Sequence, residues 1–62
     1  MKVKATIVVM SHLSDASLEK NNVVKQLLRI RFVKYIIHKI DGNLNQDIDA
    51  DKMYNDFLEF DK

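Results

Sequence analysis

A chain of 62 residues has room for one domain, and at this size folding buries only about 60% of the unfolded surface, so something must add stability. Cysteine is absent, which excludes disulfides and thiolate metal sites and leaves association with a second chain as the leading aid. The net charge of +1 conceals a split: the first 40 residues sum to +6, eight Lys/Arg against Asp15 and Glu19, and the last 22 sum to −5. Two such halves attract, within one chain or between two copies. With 47% hydrophobic residues, one glycine and no proline, the composition excludes a disordered tail or linker.

Residues 2–10 begin in alternation, with Val3, Ala5, Ile7 and Val9 on one face and Lys2, Lys4 and Thr6 on the other, which predicts a strand. The apolar run 5–10 is shorter than the roughly 7 to 15 residues of a secretory signal, and no uncharged stretch approaches the roughly 20 needed to span a bilayer. The expectation is a soluble, cytoplasmic protein without membrane attachment. Ser14 and Asp15 then read as an N-cap and a first-turn acid for a short helical turn over 14–20, with Asn21 and Asn22 recapping or breaking it.

The dominant element is a helix over 23–40, closed by Gly42 in a left-handed conformation. It carries two apolar stripes. Val23, Leu27, Ile30, Val33, Ile37 and Ile40 form one, Val24, Leu28, Phe32 and Tyr35 the other, with Ile36 outermost. An ordinary surface helix buries a single stripe, and one strand of the same chain covers only one. Residues 43–50 alternate again as a second strand, and Asp49 or Asp51 caps a C-terminal helix whose buried side is Met53, Tyr54, Phe57, Leu58 and Phe60.

The predicted fold is therefore α+β, in the order β-α-α-β-α, with two parallel strands joined by a crossover. Two strands alone are marginal in water. A homodimer completes the sheet and covers the long helix, with Leu28, Phe32, Tyr35 and Ile36 as its interface. The expected function is a non-catalytic interaction module that requires no cofactor and pairs with itself or with another protein.

Three other chemistries are written into the residues less strongly. The stretch 41–52 partly resembles the EF-hand loop: Asp41, Asn43, Asn45 and Asp49 match ligand positions and Ile48 the hydrophobic one. Two positions depart from it. Gln46 replaces the turn glycine and Lys52 puts a cation where a bidentate glutamate belongs. The cations Lys25, Arg29, Arg31, Lys34 and Lys39, with Tyr35 available to stack, suit phosphate contact and define an alternative function as a small nucleic-acid-binding regulator. A pI of about 8.0 falls short of a strongly basic binder, and a solvated helix face explains the same residues more simply. Ser11, His12, Ser14 and Asp15 hold the residue types of a hydrolytic triad, but within five positions, whereas a triad is assembled from separated segments. They are expected to be capping groups and an exposed loop histidine. His38 lacks a partner ligand at helical spacing and sits instead at the negative end of the helix dipole.

Overall fold

The computed structural model describes residues 1–61, and its element order is β1 (Lys2–Lys4), α1 (Ala5–Leu18), α2 (Val23–Lys39), β2 (Asp47–Asp49) and α3 (Ala50–Phe60). The chain is a small α+β domain with a two-stranded sheet and three helices. The strands run antiparallel, pairing Lys2 with Asp49, Val3 with Ile48 and Lys4 with Asp47, so the expected parallel crossover is corrected. Val3 and buried Ile48 point to the core, and the lysines face aspartates across the pair. Opposite charges directly across a ladder contribute roughly 0.2–1 kcal/mol each.

The largest departure from expectation lies at the start. Instead of a strand over 2–10 and a short helix over 14–20, the chain turns helical at Ala5 and stays so to Leu18. Lys4 at the N-cap makes no side-chain capping bond. The first free amides are satisfied from elsewhere: Ala5 N–H donates to Gln46 O at 2.9 Å and Thr6 N–H to Leu44 O at 3.0 Å, with the Thr6 hydroxyl adding a 2.7 Å bond to Leu44 O. These tertiary bonds satisfy donors that every helix start leaves unpaired. Ser14 and Asp15 lie inside α1 and cap nothing.

Helices α2 and α3 follow their local signals closely. Asn22 Oδ1 accepts from Lys25 N–H at 3.1 Å and starts α2, while Asp49 Oδ1 accepts from Lys52 N–H at 3.2 Å and starts α3. At the end of α2, Gly42 N–H donates to Ile37 O and Asp41 N–H to His38 O. That is the Schellman arrangement. Its left-handed residue after the cap is Asp41, at φ 54°, and Gly42 follows at φ 78°.

With α1 helical, α2 is covered from two directions by its own chain. Ala5, Val8 and Val9 of α1, Phe32, Val33 and Ile36 of α2, Ile40 and Ile48 beside them, and Phe57 of α3 form one buried cluster. Phe32 and Ile36 are 1% and 0% exposed, and Leu28 and Tyr35 pack partly buried against the same cluster. The proposed intersubunit face at Leu28, Phe32, Tyr35 and Ile36 is thus occupied by α1 and α3. Leu58 and Phe60, expected inside, are exposed. No buried side chain among the described residues is polar or charged.

Truncating Phe32 to alanine removes the ring that touches His12, Tyr54 and Phe57. The expected loss is about 3–5 kcal/mol, as large as the roughly 3–5 kcal/mol a core of this size supplies. Phe32→Ala is therefore expected to be unfolded by circular dichroism, whereas Asn55→Ala, at an exposed position of α3, should melt within about 0.5 kcal/mol of the parent.

Candidate functional site

Helix α2 lies between two clefts. The first, about 340 Å³, opens between α1, α2 and α3 and is lined by His12, Lys25, Leu28, Arg29, Phe32, Ala50, Asp51 and Tyr54. The second, about 400 Å³, lies between the C-terminal half of α2 and the end of α3, lined by Arg31, Lys34, Tyr35, His38, Phe57, Phe60 and Asp61. Three helices meeting around one aromatic cluster leave hollows where large rings splay apart.

In the first cleft the Arg29 guanidinium is already committed. Arg29 grips Glu19 through a two-point fork, Nε to Oε2 at 2.8 Å and Nη2 to Oε1 at 3.1 Å, and its Nη1 stands 3.3 Å from Asp15 Oδ2. Paired hydrogen bonds of this kind fix geometry as well as charge. The fork fastens the C-terminal turn of α1 to α2, helped by Gln26 Nε2 donating to Ala16 O at 2.9 Å. Arg29 was expected among cations open to phosphate, and it is instead held by acids of its own half of the chain.

His12 is not an exposed loop residue. It sits half-buried on α1, its ring 4.7 Å from that of Phe32, and its Nδ1 is buried without a hydrogen-bond partner. Burial, and secondarily the Arg29 charge, lower its pKa from the ordinary 6.5, with Asp15 opposing in part. Ser11 and Ser14 are exposed while His12 packs inward, so no nucleophile, base and orienting acid are brought together.

The second cleft brings together Arg31, Lys34 and Tyr35 of the expected phosphate-contact residues and adds His38 and Phe60. Arg31, Lys34 and His38 come from successive turns of the exposed side of α2, and the Lys39 ammonium stands 5.4 Å from the centroid of the Tyr35 ring. Phe60 extends the aromatic surface: its ring lies 5.4 Å from Tyr35, which is 5.5 Å from Phe57, yet Phe60 remains 74% exposed. Arg31 Nη1 meets Asp61 Oδ2 at 3.4 Å, a long and exposed ion pair of the kind that adds little stability.

The EF-hand-like stretch is divided between a turn, β2 and the start of α3. Asn43 Oδ1 accepts from Asn45 N–H, Asp49 caps α3, and Asp47 and Asp49 stand opposite Lys4 and Lys2. No three His, Cys, Asp or Glu side chains converge among the described residues. No family model, curated protein or solved structure matches the chain.

Titration separates the two ends of the α1–α2 contact. Because folded His12 binds its proton less tightly than the unfolded chain does, the unfolded state protonates first as pH falls below 6.5, and stability declines there. The hydrogen bond from Arg29 lowers the Glu19 pKa below its ordinary 4.5, so its stabilisation holds above that pH and is lost on further acidification. Melting temperatures across pH should show both declines in the parent. His12→Phe should remove the upper one and leave the lower.

Proposed function

We propose that this protein is a non-catalytic module that self-associates through the outer face of α1. The observation that carries the reading is that Ile7, Met10 and Leu18 are 61%, 61% and 81% exposed on a helix of 14 residues whose single acid, Asp15, faces Arg29. A surface helix ordinarily presents charge to water. This one presents apolar groups interleaved with Ser11, Ser14 and Ser17, and just beyond the α1–α2 turn Val23, Val24 and Leu27 are exposed as well.

Neutrality favours a second copy as the occupant. In a two-fold interface a patch meets itself, so any net charge on it meets its own sign. The outer side of α1 carries none, whereas α2 carries a net +5 and α3 a net −2. The separation of Ser11 and Ser14 from His12 supports the non-catalytic part of the reading. No described helix is long and apolar enough to cross a membrane, and a chain without cysteine needs no oxidising compartment, which favours action in the cytoplasm.

Sedimentation equilibrium from low micromolar to millimolar protein tests this. A dimer is expected, and Met10→Glu, at an exposed site that leaves the fold intact, should weaken it at least about tenfold, the effect of placing a charge in the centre of an interface. A parent that stays strictly monomeric to millimolar concentration overturns the reading.

A further inference from the structure

We infer that the groove between α2 and the end of α3 binds single-stranded nucleic acid, with Phe60 stacking on a base and Arg31, Lys34 and Lys39 facing phosphates. The inference rests on a surface separate from the outer face of α1 and does not depend on self-association.

Three observations converge on this ligand. Phe60 is a large aromatic ring held at one side by Tyr35 and 74% exposed. Burial explains most aromatic side chains, and this ring is mostly unburied. A ring fixed by a neighbour while presenting its free area to water is the platform on which unpaired bases stack, at little ordering cost. Around it, Arg31 and Lys34 outnumber Asp61 by one charge and His38 lines the same groove, while Lys39 adds a further cation over the Tyr35 ring.

The cations are also placed along the strand direction a backbone would follow. Arg31, Lys34 and His38 recur every three to four residues, so they rise along α2 at about 5 Å per turn, a spacing a flexible phosphate chain can match. The Arg31–Asp61 pair is long and solvated, so a phosphate displaces Asp61 at small cost. A duplex offers no free base face, and an acidic protein offers charge without a stacking partner. The exposed ring therefore selects single strands over both.

Fluorescence anisotropy with a labelled single-stranded RNA or DNA of mixed sequence, about 12 nucleotides long, tests the assignment on the intact chain. Binding is expected at low salt, weakening roughly twentyfold when salt is raised about fourfold, the effect of three single-strand phosphate contacts. Phe60→Ala should weaken binding about tenfold, and Lys34→Gln should reduce the salt slope by about one contact. Circular dichroism checks that both variants fold, and Lys34→Gln carries the test should Phe60→Ala not do so. No binding at low salt, affinity untouched by Phe60→Ala, or equal binding of duplex DNA or of polyglutamate would overturn the inference.

Discussion

The packing of Phe32 at the meeting point of three helices is the constraint on which the rest of this structure depends. Its ring centroid lies within 4.7–5.3 Å of those of His12, Tyr54 and Phe57, one contact from α1 and two from α3. The three-residue strands cannot hold the chain together, since an isolated pair of strands is marginal even when longer. The sheet acts as a clip, and the aromatic cluster supplies the cohesion. Seating Phe57 against Phe32 also fixes the rotation of α3, and one turn later the same rotation delivers Phe60 onto Tyr35. Core and groove are consecutive turns of one helix.

The clip has its own consequence. Helix α1 begins without a capping side chain, and its first amides are satisfied by carbonyls of Leu44 and Gln46, some 40 residues further on. Such a helix start cannot form by local interaction alone, because nucleating a helix is unfavourable until its early donors find acceptors. The N-terminal helix is therefore conditional on the 43–46 turn, which in turn is set by the left-handed pair Asp41 and Gly42 at the end of α2.

What was legible in the sequence follows from which signals are local. Asn22 and Asp49 carry their own capping oxygens, so α2 and α3 were readable at their starts, and the stop at Gly42 was readable too. Helix α1 was not, because it is apolar on both its buried and its outer side and its β-branched run 6–9 mimics a strand. The spacing of Ala5, Val8, Val9, His12 and Ala16 does follow a helical face, but Ile7, Met10 and Leu13 fill the opposite side and erase the contrast. Missing that helix led directly to placing Phe32 and Ile36 on the surface. In the groove, Arg31, Lys34 and Lys39 could be read as cations on one helix. Phe60 could not be separated from core, since its spacing from Phe57 is that of a buried stripe, yet it packs on Tyr35 alone among the described rings and stays exposed.

The charge split acquires a meaning once the surfaces are placed. Part of it is internal pairing, with Lys2 and Lys4 opposite Asp49 and Asp47 and Arg31 near Asp61, while Arg29 is neutralised within its own half. Beyond these pairs the chain also carries acids at Asp41, Asp51 and Asp56, an outer face of α1 without charge, and a cationic aromatic groove on the far side of α2. If the proposed self-association holds, segregating face and groove would let one surface meet its own copy while the other stays open, since a phosphate-binding groove placed on a two-fold axis would repel itself. Two copies joined through α1 would carry two grooves, and a single strand long enough to reach both would meet the second as an intramolecular event, raising apparent affinity through effective concentration rather than through new contacts. For a groove with only three or four contacts, that linkage is the physical route from weak to useful binding.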